Sequence, residues 1–210
     1  MKKLLVFLSV PFFSGCFFGT FRSAEPIGAG NVEKNLYFNV PFYYSRSYKE
    51  GARTSGTYYT GVGLGAMLNF GASDFMDFGA KLDLAEGLGP QWKFRFIHYY
   101  PLSMAINTGF GYHFVAEGFC WNVDLLASSR ISEYSSVYMG FLIHHLPDYT
   151  NVTSLSQYFN IKSFRNFAGF ALGFSFSNFE KVKAVKSFDV EFVIPVHKYP
   201  PLLWGLSVGF

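Results

Sequence analysis

The chain has 210 residues, half of them hydrophobic and only 15% charged, with 27 Phe, 14 Tyr and 21 Gly. A net charge of +3, spread over dispersed Lys and Arg, excludes the basic stripe of a nucleic-acid surface. Beyond the N-terminus no apolar run reaches the roughly 18 residues of a spanning helix, and the aromatic, Gly-rich mixture favours strands in a single domain.

Residues 1–16 read as a secretory signal peptide: Lys2-Lys3, an apolar core from Leu4 to Phe13, then small residues. Ser14-Gly15-Cys16 resembles a bacterial lipobox, in which the Cys is diacylated and becomes residue one. Phe13 stands where that motif usually has Leu. The resemblance implies lipidation of Cys16, which leaves Cys120 without an intrachain disulfide partner. Residues 17–30, with Arg22, Glu25, Pro26 and three Gly, read as an irregular periplasmic tether.

From residue 31 the pattern changes to period-two segments separated by turn signals. Along 32–44, Leu36, Phe38, Val40 and Phe42 oppose Asn35, Tyr37 and Asn39, and a polar loop over 45–56 follows. Along 57–70, Leu64, Leu68 and Phe70 oppose Gly63, Gly65 and Asn69. The third segment (77–84) sets Phe78 and Leu82 against Lys81 and Asp83, with Asp77 near a rim. A turn over 86–90 precedes the fourth (91–98), where Trp92, Phe94 and Phe96 oppose Lys93 and Arg95. The fifth (102–114) carries Ile106 and Phe110 against Asn107 and Gly109. The sixth sets Phe119, Trp121, Val123 and Leu125 against Cys120, Asn122, Asp124 and Leu126, and polar residues 128–135 connect it to the seventh, with Met139, Phe141 and Ile143 outermost. A long loop over 145–163 leads to the eighth, where Phe170, Leu172 and Phe174 oppose Arg165, Gly169 and Gly173. The ninth sets Phe188, Val190 and Phe192 against Asp189 and Glu191.

In the tenth segment Leu202, Trp204, Leu206, Val208 and Phe210 share one face, and Leu203, Gly205, Ser207 and Gly209 the other. This resembles the C-terminal strand of bacterial outer-membrane β-barrels, whose terminal Phe is read by the barrel-insertion machinery. The resemblance implies that Trp204, Leu206, Val208 and Phe210 form that signal and that the assembly machinery is a transient partner.

One face of every segment is apolar away from its ends, and the other holds Gly, Asn, Ser and nearly all the charge. A strand in hydrocarbon must satisfy its backbone laterally, which only a closed barrel allows. The expected fold is therefore all-β: a closed antiparallel transmembrane barrel over 31–210 with about ten strands, eight or twelve being the alternatives. Lipid is the expected surroundings of the apolar face. An even count puts both termini on one side, the periplasmic one in this class, and loops 45–56 and 145–163 outside the cell. Lys81, Lys93, Arg95 and Arg165 face the lumen with Asp83, Asp124, Asp189 and Glu191. That near-balance points to a paired network in a narrow barrel filled by its own side chains. The architecture is similar to that of the OmpA transmembrane domain and OmpW-like barrels, with no motif that selects a subfamily or a ligand.

Three constellations resemble sites. Gly61-Val62-Gly63-Leu64-Gly65-Ala66 continues the strand alternation with no helix after it, so it is no nucleotide loop. His144-His145 near Asp148 faintly resembles the lipid A deacylases, but Pro147 and Leu146 stand where the nucleophilic Ser belongs; the plain reading is a solvated rim pair. Cys120 reads as a small lumen residue, and Asn151-Val152-Thr153 as an incidental triplet. No cofactor and no metal are expected. A membrane-embedded structural, binding or transport barrel is the leading reading. A lipid-modifying enzyme would need Ser, His and an acid together at a rim. A soluble lipocalin-like barrel would need the Phe face turned inward.

Overall fold

The computed structural model describes residues 20–45, 48–49, 52–53, 57–60, 63–83, 87–114, 117–145, 166–177, 185–196 and 203–210. Residues 1–16, Cys16 among them, lie outside the described residues, as do Arg165 and positions 146–163 of the long loop.

The alternating segments form antiparallel strands. β1 (Val32–Ser45) is followed by a two-residue pair, β2 (Tyr48–Lys49) and β3 (Ala52–Arg53), then β4 (Thr57–Thr60) and β5 (Gly63–Gly71). The remainder are β6 (Met76–Asp83), β7 (Gly87–Tyr99), β8 (Leu102–His113), β9 (Gly118–Ser132), β10 (Ser135–His145), β11 (Asn166–Ser177), β12 (Ser187–Pro195) and β13 (Leu203–Gly209). Each strand from β5 to β13 pairs with the next, β5 pairs with β1, and β13 returns to pair with β1. β4 and β5 occupy one position beside β1, so the ring has ten strands and no free edge. Asn35 sits opposite Gly209 and the Phe210 amide donates to the Lys34 carbonyl at 2.8 Å, so the described chain enters and leaves at one mouth.

The 45–56 stretch departs from the expected loop. β1 runs on to Ser45, pairs with β4 from Phe42↔Thr60 to Ser45↔Thr57, and carries the β2–β3 pair at its tip. Two turn assignments also give way to ladder formation. Residues 87–90 join β7 opposite Asp83 to Ala80, and polar residues 128–132 extend β9 between β8 and β10. Serines and glycines suit a strand whose inner face meets a polar lumen, so composition alone understates these strands.

The apolar face points outward. Leu36, Leu82, Phe110, Met139, Phe170 and Ile194 are each more than half exposed, whereas Asn35, Asp77, Lys93, Asn107, Asp124 and Glu191 are buried inside. Among the described barrel-strand side chains the outward charge is Lys34, at the mouth beside Phe210. The soluble lipocalin-like reading required the opposite arrangement, and the structure overturns it.

Two lumen tyrosines cover glycines across the ladder. Tyr37 pairs with Gly65 and Tyr138 with Gly173, and a Cβ at Gly173 would lie 2.0 Å from the Tyr138 ring. The bare glycine lets the ring lie flat and its hydroxyl reach Glu191 at 2.9 Å. Gly173→Ala is expected to cost about 1–3 kcal/mol by overpacking, read as a lower urea midpoint, because the ring must leave its position. An unchanged midpoint would mean that Tyr138 has another resting place.

Candidate functional site

The interior is built around residues 20–30. They lie inside the barrel as a plug, where the sequence suggests a tether below it. Phe21, Arg22 and Ala24 are each 4% exposed or less. The segment is irregular, as its composition implies, but the wall holds it at almost every residue. Its hydrogen-bond partners on the wall lie 41 to 171 positions away in sequence, a separation that no local pattern reveals.

The plug begins at Glu191 on β12. That carboxylate accepts from the Thr20 amide at 2.9 Å, the Thr20 hydroxyl at 3.0 Å, the Phe21 amide at 2.9 Å and the Tyr138 hydroxyl. Four donors satisfy an ionised carboxylate in a buried setting. Phe21, in the left-handed region at φ 43°, stacks on Tyr37 with centroids 5.3 Å apart. Tyr37 in turn donates to Asp83 at 2.5 Å and lies under Lys81, whose ammonium is 5.8 Å from the ring centre.

Arg22 is the centre of the next layer. Its guanidinium donates to Asn107 Oδ1 at 3.0 Å and to Asp77 Oδ2 at 3.2 Å. Lys93 reaches the same Asp77 oxygen at 3.1 Å, and its remaining protons go to the carbonyls of Ser23 and Glu25. The Ile27 amide donates to Asp77 Oδ1 at 3.2 Å. Asn107 then passes the network on, donating to Asp124 Oδ2 at 2.8 Å; Asn122 does the same at 2.9 Å, and His144 Nε2 stands 2.8 Å from Asp124 Oδ1. An ionised Asp only accepts, so the proton sits on His144 Nε2. His144 is therefore a buried lumen residue at 1% exposure, edge-on to Phe167, and not half of a solvated rim pair. His145 does stand near the rim, stacked on Trp121 and 2.7 Å from Asn166 Oδ1.

The expected network of wall charges thus takes a different form. Lys93 pairs across the wall with Asp77, Arg95 with Glu25 of the plug at 2.7 Å, and Glu191 with plug amides. Asp124 binds amides and His144, while Asp189 lines a cavity beside the plug. The near-balance of strand charges reads as self-pairing only when Arg22 and Glu25 are left out.

At the mouth a Ser, a His and an acid do come together. A bulge at Arg95/Ile97 turns both Phe96 and Ile97 outward and His98 inward, opposite Ser103. Ser103 Oγ lies 2.5 Å from Glu25 Oε1 and 3.0 Å from His98 Nδ1, which is also 3.2 Å from Arg95. The contacts do not form a relay for a nucleophile. The single hydroxyl proton points to the carboxylate, one imidazole nitrogen faces both Ser103 and Arg95, and Ser103 is fully buried. Its evident work is to hold Glu25. Among the described residues no group of three His, Cys, Asp or Glu could hold a metal ion.

On β13 Trp204, Leu206 and Val208 lie on the outer face, alternating with buried Gly205, Ser207 and Gly209, and Phe210 follows directly after the strand. No family model and no curated protein matches the chain. Among solved structures it is similar to the COG4313 outer membrane channel from Pseudomonas putida F1, with a TM-score of 0.48, 9% identity, and 93% of this chain and 99% of that one covered. It is also similar to the outer membrane protein OprG from Pseudomonas aeruginosa, with a TM-score of 0.36, 12% identity, and 90% and 99% covered. Neither likeness tells what this chain does. By its own architecture the chain is a ten-stranded antiparallel barrel with an apolar outer face and a polar interior, closed by its first and last strands.

Proposed function

We propose that the protein is an integral outer-membrane barrel that acts as a structural or binding protein, its lumen closed by residues 20–30. The observation that carries this is the division of the wall into an outward apolar face and an inward polar one. In water, exposing so many Phe, Leu and Ile side chains on a contiguous surface is unfavourable; in hydrocarbon it is required. The plug supports the closed lumen, because its buried charges and amides find their partners only while it is docked. In this reading the termini face the periplasm, the loops over 45–56 and 145–163 face outward, Cys16 is acylated, and the β13 outer face with Phe210 is what the assembly machinery reads.

The test is direct. The full chain folded in lipid should resist SDS, change gel mobility on boiling and pass little steady current in planar bilayers. Mass spectrometry of the same preparation should find the acyl chains on Cys16. Recovery as a soluble monomer without detergent would sink the membrane reading. Large unitary conductance would sink the closed lumen alone.

A further inference from the structure

Residues 20–27 take no part in the ladder. The ring closes through β1 and β13, and the plug meets it through side chains and single amides. Its apolar hold is slight: Phe21 stacks on Tyr37, and Ala24 packs with Ala105 and Leu126. The rest is polar contact, which water can replace.

The wall groups that grip residues 20–27 keep partners of their own. Asp77 stays with Lys93 at 3.1 Å, Asn107 with Asp124 at 2.8 Å and Glu191 with Tyr138 at 2.9 Å. Arg95 holds the Asp74 carbonyl at 2.6 Å, and Ser103 lies 3.0 Å from His98. Withdrawal of the plug leaves each of these wall groups with a partner, while Arg22 and Glu25 pass to water. Docking, by contrast, is imperfect. It puts two cations, Arg22 and Lys93, on one oxygen of Asp77 at 3.2 and 3.1 Å. It also buries the Arg22 Nε–H without a protein partner, and a buried donor left unmade is costly. Withdrawal relieves both and leaves Lys93 and Asp77 as a one-to-one pair.

A pivot and a path are present as well. Where residues 20–27 join β1, the chain reverses through Gly28 and Gly30, at φ 86° and 76°. This turn is fastened to the wall. The Gly30 amide donates to the Gly71 carbonyl and the Gly71 amide to the Asn31 carbonyl, each at 2.9 Å. Along the plug's other flank, toward β9–β12 and at the same mouth, runs a cavity of about 380 Å³ whose lining includes Phe21, Ser23, Glu25 and Ile27. The segment has a fixed turn at one end and open space beside it.

We propose that residues 20–27 are a reversible plug, which swings out through the mouth that holds the termini, about the Gly28–Gly30 turn, while the ten-stranded ring stays closed. The docked state is the resting one, and withdrawal opens the lumen to that side. This rests on the plugged lumen of the proposed function, though not on where the barrel sits.

The experiment measures native-state amide hydrogen exchange by NMR on the full chain folded in detergent micelles. The Thr20, Phe21 and Ile27 amides, which donate to Glu191 and Asp77, report the plug, and the ladder amides of β12 report the ring. The plug amides are expected to be protected, yet to exchange about a hundredfold faster than those of β12. Their rates should stay flat in sub-denaturing urea, because withdrawal exposes little surface, while the β12 rates climb. Gly28→Ala should speed plug exchange about tenfold and leave β12 unchanged, since a Cβ disfavours the left-handed backbone of the docked turn. The boiling-induced mobility shift of each preparation verifies the folded barrel separately. Plug and β12 amides that exchange at one rate and respond alike to urea overturn the proposal and leave the closed lumen standing. Plug amides with no protection at all sink the closed lumen, and the proposal with it. Plug exchange that Gly28→Ala leaves unchanged overturns the swing about this turn.

Discussion

Asp77→Ala is expected to lower stability by about 3–5 kcal/mol, because it strands two buried cations. Arg22 and Lys93 share one Asp77 oxygen at 3.2 and 3.1 Å, with side-chain exposures of 3% each against 0% for the Asp. The Ile27 amide loses its acceptor in the same step, so the plug loses both its ionic and its backbone hold on β6. A double-mutant cycle separates the causes: Arg22→Met in the Asp77→Ala background should restore part of the loss, since one stranded charge is removed with it. Arg95→Ala should cost less. Its pair with Glu25 lies nearer the mouth, with side-chain exposures of 14% and 25%, where water replaces the lost partner. Urea midpoints in detergent micelles measure all three. Equal midpoints for Asp77→Ala and the parent protein would show that the N-terminal segment is not held in the lumen.

Leu125→Arg is expected to produce an effect of about 2–4 kcal/mol in lipid vesicles, the cost of a cation facing the bilayer midplane. Leu125 lies at the middle of β9, outward and 43% exposed. In a water-soluble barrel such a surface exchange stays within about 0.5 kcal/mol, so the one variant discriminates between the two surroundings. Lys34→Ala supplies the control. Lys34 faces out at the mouth, where a long cation reaches the interface and its removal should change little. A Leu125→Arg protein as stable as its parent in vesicles would place the outer wall in water.

The strands were legible because their physics is local. Side chains alternate with period two, and in a barrel with one apolar and one polar surface the sequence carries that period in plain view. The segment from 166 to 177 shows it: Phe170, Leu172 and Phe174 outward, Gly169, Ala171 and Gly173 inward, as the pairing with β10 confirms. The pattern weakens where both faces are small or polar. That is why residues 128–132 read as a connection, and why the bulge that brings His98 to Ser103 left no mark.

The sequence by itself determined the closed antiparallel sheet, the face that points out, and the inward position of Lys81, Asp83, Lys93, Arg95, Asp124, Asp189 and Glu191. Which group each of those charges meets was decided only in three dimensions. Residues 20–30 have no periodicity, since they form no repeating structure, and their sequence is that of any polar linker. What makes them a plug is that β6, β7, β8 and β12 bring Asp77, Lys93, Asn107 and Glu191 around one space. Backbone amides of the plug then serve Glu191 and Asp77, and its carbonyls serve Lys93. Every residue has such groups, so no side-chain pattern could announce them. Burial makes them matter, because a charge removed from water must find donors or acceptors wherever the fold supplies them.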